Sequence, residues 1–305
     1  MAGIERKYSK TARLNDRLRK VRSVLFITLW LNLAVSGSKL VVGLLIGSMG
    51  MAADGLHSLS DASSNIIGLI GMNAAGKPPD KSHPYGHAKY ETFAALFIGA
   101  MLFFMCFELL MGAYKRLNGP PQAIEAGAAG FGVMVLTVGV NLFVSTYEAR
   151  KGRELTSDFL LADSQHTRSD IFASLAVITG LAGAKMGFPS ADPIAAGIVA
   201  VMIAYAGWGI IKRSSDVLCD ASMVEADRVT EICRAVPGVL RCHRVRSRGR
   251  EDQVLIDLRV HVDPKLPTEE AHRIAHEVEN RIRAEFGEVR DVVVHIEPEG
   301  PIDRR

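Results

Sequence analysis

The sequence has no cysteine framework. Its four cysteines, Cys106, Cys219, Cys233 and Cys242, form no CxxC pair, which excludes a disulfide-stapled secreted domain. It also lacks a strong charge bias. Lysine and arginine number 36 against 33 acidic residues, for a net charge of +3, too small an excess to argue for nucleic acid as a partner. The HExxH signature of zinc proteases is absent. Beyond Arg213 no apolar run is long enough to cross a bilayer. What is present is apolar: 48% of the 305 residues are hydrophobic and 23% are charged, a balance that excludes disorder.

The apolar residues fall in six runs of roughly 20 residues or more, the length a spanning helix needs. They cover about 24–46, 51–75, 91–114, 124–148, 157–184 and 192–211. A soluble globular enzyme is thereby excluded. The expected organisation is a basic N-terminal tail over 1–23, a six-helix membrane domain over 24–213 and a polar domain over 214–305. The tail is rich in arginine and lysine but has no cleavage site, so the first run is read as a retained span. Positive charge recurs after spans two, four and six, at Lys77, Lys81, Lys89, Arg150, Lys151, Arg153, Lys212 and Arg213. The opposite loops are poorer in it. The positive-inside rule places both termini in the cytoplasm.

The polar domain reads as helix over 224–235, strands over 240–247 and 253–262 with Gly249 in the turn, a helix capped by Thr268, and a last strand over 291–296. That α-β-β-α-β order describes a small α+β sandwich. Its core is modest for about 85 residues, so dimerisation is expected to support it.

Charges inside a span are costly and mark functional sites. Span two carries Asp54, His57 and Asp61. Span five carries Asp163, His166 and Asp170. The i, i+3, i+7 spacing puts each trio on one helix face. Both segments read ADxxHxxSD. If the faces meet, two imidazoles and two carboxylates make a four-ligand tetrahedral site suited to zinc. Two aspartates also neutralise a divalent cation. The remaining pair, Asp54 and Asp163, would lie on opposite sides of this site, as pathway carboxylates or as supports. In the loop after span two, Asp80, His83 and His87 form a second ligand set of one carboxylate and two imidazoles.

With these residues assembled, the chain resembles the cation diffusion facilitator family of divalent-metal/proton antiporters. The resemblance rests on the six spans, the two ADxxHxxSD segments, the 79–91 loop segment PDKSHPYGHAKYE and the tail pattern. It implies a metallochaperone-like tail domain and a transport site at His57, Asp61, His166 and Asp170. It implies an interfacial metal site at Asp80, His83 and His87. It implies a tail metal site drawn from His243, His272, His295 and Glu297. Arg259 stands where some members carry a bridging histidine, and a guanidinium cannot ligate a metal. The alternatives are a tail site that holds one metal, one that binds weakly, or one shifted onto His261, two residues on. His276 is read as an exposed helix residue. The resemblance further implies a charge contact between Lys89 and Asp220 at the dimer hinge.

The expected function is a homodimeric, multi-pass exporter of the bacterial inner membrane. Zinc is its expected ion, as substrate and as structural or regulatory ion; iron, cobalt, nickel, manganese and cadmium stay open. Its partners are metal ions, protons and membrane lipid, not nucleic acid. Protons compete with metal for imidazole and carboxylate, which gives exchange a physical basis. The alternatives are a metal sensor without transport, which leaves the membrane ligands unexplained, and an intramembrane metalloenzyme, which lacks a free coordination position. A channel would be blocked by a tight four-ligand site. The protein is therefore not expected to be an enzyme.

Overall fold

The computed structural model describes residues 2–45, 55–56, 58–59, 62–118, 128–185 and 191–300. The chain divides into two compact units, Met1–Ser214 and Ser215–Arg305.

In the first unit the described helices are α1 (Ala2–Leu45), α2 (Ser63–Ala75), α3 (Lys89–Asn118), α4 (Ala128–Glu154), α5 (Asp158–Lys185) and α6 (Ala191–Leu218). Three of them hold a stretch long and apolar enough to cross a membrane by length and composition: Asn15–Leu45, Lys89–Lys115 and Pro193–Leu218. α5 has lower hydropathy because Asp163, Arg168 and Asp170 interrupt its apolar residues. Its hydroxyls turn inward on the helix itself. Ser164 donates to the Leu161 carbonyl, Thr167 to Asp163, Ser169 to Gln165 and Ser174 to Asp170. These four hydroxyls are thus satisfied without water, as an apolar surround requires.

Two apolar clusters hold the bundle. One joins Leu18, Val21 and Leu25 of α1 to Met72 of α2, Ile98 of α3 and Phe159 and Leu160 of α5. The other joins Leu102 and Cys106 of α3 to Ala176 of α5 and Val199 and Ile203 of α6. Helices approach closely where side chains vanish. A Cβ on Gly68 would lie 2.3 Å from the Phe159 ring, so only glycine lets α2 seat against α5 there. Large apolar residues such as Phe26, Trp30, Phe104, Phe143, Tyr205 and Trp208 face outward. A lipid surround accounts for that exposure.

The second unit contains α7 (Ala226–Arg234), β1 (Arg241–Arg250), β2 (Gln253–Val262), α8 (Thr268–Glu285) and β3 (Val289–Pro298). The order is the expected α-β-β-α-β. The sheet runs β1-β2-β3, with β1 antiparallel and β3 parallel to β2. Period-two patterning selects the faces. Val254, Ile256, Leu258, Val260 and Val262 bury one face of β2 with Val229 and Cys233 of α7 and Val278 and Ile282 of α8. The alternate residues, Arg259 and His261 among them, point the other way.

Boundaries differ in detail from the sequence reading. Gly249 is not in the turn but pairs with Val254 inside the hairpin, at φ +116°. A Cβ there would meet the Gln253 carbonyl oxygen at 2.3 Å, so glycine extends the ladder rather than ending it. Thr268 is the first residue of α8 rather than its cap. Pro267 precedes it, and its carbonyl accepts the first helical bond from Ala271 N–H.

Candidate metal centres

On α5, His166 is 3% exposed. Asp170, one turn on, is half-buried. Both line a cavity of about 350 Å³ in the first unit, with Asn32, Lys39, Ser58 and Asn141 among its walls. The other half of the predicted tetrahedron, His57 and Asp61, lies outside the described residues, as does Asp54. Asp163 is 1% exposed. Its Oδ2 accepts a 2.9 Å bond from Asn65 Nδ2, which also reaches Thr28 Oγ1 at 3.1 Å. Asn32 Nδ2 closes the network on Asn65 Oδ1 at 2.9 Å. Glu148 of α4 lies fully buried against this group. The Asp163 carboxylate thus belongs to a polar cluster joining α1, α2, α4 and α5.

The loop set comes together. Asp80 Oδ1 accepts from Ser82 N–H at 2.9 Å, Ser82 Oγ at 2.8 Å and His83 N–H at 2.7 Å. This is the aspartate-led turn that short polar side chains favour. The Ser82 hydroxyl first, then the His83 amide, hold the Asp80 carboxyl down to about 2. It is therefore anionic at neutral pH. His83 Nδ1 stands 3.5 Å from Asp80 Oδ1, and His87 Nε2 stands 3.5 Å from Oδ2. The two imidazole centroids are 4.2 Å apart. His87 Nδ1 lies 3.2 Å from the Pro78 carbonyl. Donation there leaves Nε2 with its lone pair toward Asp80, the orientation that ligating histidines adopt. His87 is buried and Tyr90 stacks on it. Gly86, at φ +87°, makes the turn between the two histidines. The ligand atoms of all three residues lie within 4.8 Å of one another, a spacing that fits one divalent ion.

A second such cluster sits on the open face of the tail sheet. The register aligns His243 with Arg259 and His295 across the three strands, and Arg241 with His261 and Glu297 in the next row. His243, His261 and Glu297 offer ligand atoms within 4.8 Å. His261 Nε2 is 3.1 Å from Glu297 Oε2, and His243 Nε2 is 3.8 Å from it. His295 Nε2 is 3.6 Å from Glu297 Oε1. That oxygen already accepts from Arg259 Nη1 at 2.6 Å. Burial, then the neighbouring His261, hold the His243 imidazole below the usual histidine range. Burial pushes Glu297 up, but Arg259 and then the histidines outweigh it, and the carboxyl settles below its ordinary value. The donor set fits a metal; the guanidinium competes for its carboxylate. His272 is placed elsewhere, exposed on α8 with its ring centroid 4.5 Å from that of His276. His276 is exposed and pairs with Glu279 at 3.3 Å.

Lys89 opens α3 in the first unit, while Asp220 lies in the second, where Arg248 Nη1 stands 3.7 Å from it. Sequence reasoning missed Lys39, Glu148, Asn65 and the Arg17–Glu91 pair. Lys39 and Glu148 could have been found by the rule that already selected the aspartates, because both are charged residues within apolar runs.

A helical membrane domain with a His-xxx-Asp pair on its cavity wall, joined to an α/β domain bearing a histidine–carboxylate cluster, defines a metal-handling membrane protein. Residues 25–219 match the cation efflux transmembrane domain, and residues 221–299 match the cytoplasmic domain of cation efflux proteins. The chain belongs to the cation diffusion facilitator family of metal efflux transporters. An uncharacterised transporter of Methanocaldococcus jannaschii, MJ0449, is 32% identical over 92% of this chain and 99% of its own. The Bacillus subtilis manganese efflux system proteins MneP and MneS are 30% and 29% identical, each over 93% of this chain and 98% and 97% of their own.

Proposed function

We propose that this protein exports divalent metal cations from the cytoplasm in exchange for protons, as a homodimer in a bacterial inner membrane with both termini cytoplasmic. The observation that carries the reading is the pair His166 and Asp170, one turn apart on α5 and both on the wall of one cavity. His57 and Asp61, in the matching ADxxHxxSD segment, complete the donor set. Two nitrogens and two carboxylate oxygens suit zinc in tetrahedral geometry. Manganese is the second reading, favoured by the names of the Bacillus relatives. Imidazole and carboxylate bind either a metal or protons, so loading on one side and protonation on the other drive exchange.

Asp80, His83 and His87 hold a resident ion at the loop. His243, His261 and Glu297 hold a regulatory one in the tail, with His295 beside them and His272 outside that cluster. Asp54 and Asp163 flank the pathway.

The test is metal flux into proteoliposomes under an imposed pH gradient, with zinc and manganese run separately. Asp170→Ala, purified as a folded dimer, is expected to abolish flux. Parent-level flux in that variant overturns the site assignment. Flux that ignores the pH gradient overturns proton exchange.

A further inference from the structure

Lys39 is 7% exposed, inside the apolar stretch Asn15–Leu45 of α1. A buried ammonium at such a position is costly and calls for a functional account. Its Nζ donates to Ser58 Oγ at 2.8 Å, and Ser58 follows His57 directly in the sequence. A glycine permits the contact. A Cβ on Gly55 would lie 2.7 Å from the Leu40 backbone nitrogen, so α1 can press against this segment only because residue 55 has no side chain. Lys39 and Ser58 both line the cavity whose wall carries His166 and Asp170. Among the described residues, the acidic side chains on that wall are Asp170 and Glu108 of α3.

We propose that Lys39 is a tethered counter-cation of the transport site: its ammonium balances the site's carboxylates when no metal is bound and competes with the metal that enters. This rests on the transport-site reading above. Two carboxylates and a divalent ion sum to zero, whereas the same two carboxylates alone leave two negative charges. A fixed ammonium on the cavity wall offsets one of them without ligating anything, because a protonated amine has no lone pair. The empty site is thereby cheaper and the loaded site dearer. Lys39 is a positioning residue that lowers metal affinity and speeds release.

The experiment uses full-length protein in nanodiscs, in a background carrying Asp80→Asn and Glu297→Gln to weaken the loop and tail clusters. It is titrated with zinc alone and with manganese alone. Lys39→Gln keeps a donor for Ser58 and removes the charge. Lys39→Arg keeps the charge. Lys39→Gln is expected to tighten binding about tenfold, the effect of removing one nearby like charge worth about 1.4 kcal/mol. In proteoliposomes it lowers both the half-saturating concentration and the maximal flux, and Lys39→Arg restores both. Unchanged or weaker binding in Lys39→Gln overturns the proposal. If tightening vanishes when Glu108→Gln is also present, the ammonium serves Glu108 instead and the proposal falls. Asp170→Ala is run in parallel. Parent-level binding there defeats the transport-site reading itself, whereas lost binding there with no Lys39 effect defeats only the counter-cation.

Discussion

Arg17 and Glu91 are joined through both prongs of the guanidinium, with Arg17 Nη1 at 3.0 Å from Glu91 Oε2 and Nη2 at 3.1 Å from Oε1. Glu91 is 1% exposed and also accepts from Ser157 Oγ at 2.6 Å. Arg17 further donates to the Leu155 and Thr156 carbonyls at 2.6 and 2.8 Å. One ion pair thus ties α1, α3 and the α4–α5 turn, where Thr156 holds a left-handed φ of +48°. Removing one partner strands the other. Glu91→Ala is expected to cost about 3–5 kcal/mol, as for other broken buried pairs. Arg17→Lys, which loses the bidentate geometry but keeps the charge, costs less. Thermal melts of purified protein in detergent rank the two variants, and equal melting temperatures refute the latch.

The loop cluster gives a sharper comparison. Asp80 both builds its turn and faces the two imidazoles. Asn at position 80 keeps an oxygen that can accept from Ser82 and His83, but carries no charge. Asp80→Asn should leave the loop's backbone unchanged and weaken metal binding there. Loss of a supporting partner alone costs 10–100-fold in affinity, so loss of a direct ligand should cost at least about tenfold. Asp80→Ala should lose both turn and metal. Metal content per protomer after gel filtration, together with hydrogen exchange across 79–90, separates these outcomes.

Much of this was legible in the sequence because membrane and sheet impose simple periods. Apolar runs located the helices, and the α-β-β-α-β order followed from alternation and turn residues. The loop ligands were legible because Asp80, His83 and His87 are close in sequence and one turn gathers them. The tail site was only half legible. His243, His261 and Glu297 meet through strand register, which a one-dimensional pattern does not display. His272, chosen by resemblance, stands on α8 beside His276 because its helix packs on the other face of the sheet. The Asn65–Asp163 bond and the Arg17–Glu91 pair join residues 98 and 74 positions apart, through helix packing that spacing cannot reveal.

Protonation of the tail should have two separate windows. The His243 imidazole is held below its ordinary value, first by burial and then by His261. The unfolded chain therefore binds more protons than the folded one below about pH 6.5, the unperturbed histidine value. Stability is then fully present above that pH and falls on acidification. Glu297 has the opposite chemistry with the same slope. Its depressed carboxyl adds stability above its reference value of 4.5, which is lost as pH falls through the lower folded value. Chelator-treated fragment 215–305, which carries its own core, should lose melting temperature in both windows. His243→Gln should flatten only the upper one. An unchanged slope between pH 7.5 and 5.5 in that variant refutes the assignment.

Arg259 should set the strength of the tail site. Its Nη1 holds Glu297 Oε1 at 2.6 Å, while His261 and His243 address Oε2 at 3.1 and 3.8 Å. A metal entering among the histidines needs the carboxylate as ligand, and it brings two positive charges next to a guanidinium that cannot leave its strand. The guanidinium therefore opposes binding twice, by occupying one oxygen and by repulsion. Arg259→Gln keeps a long polar side chain in the His243–Arg259–His295 row but removes the charge. It should tighten zinc and manganese binding to fragment 215–305 by about tenfold or more, since charge-assisted hydrogen bonds are the strong ones and this one is released. Arg259→His adds a ligand as well as removing the charge, and should tighten binding further. Glu297→Gln in either background should abolish the gain, because the carboxylate is what the substitution sets free. Calorimetric titration of the five fragments decides it. If Arg259→Gln binds no better than the parent, the guanidinium is not the regulator of this cluster, and the three ligands are a charge network rather than a metal site.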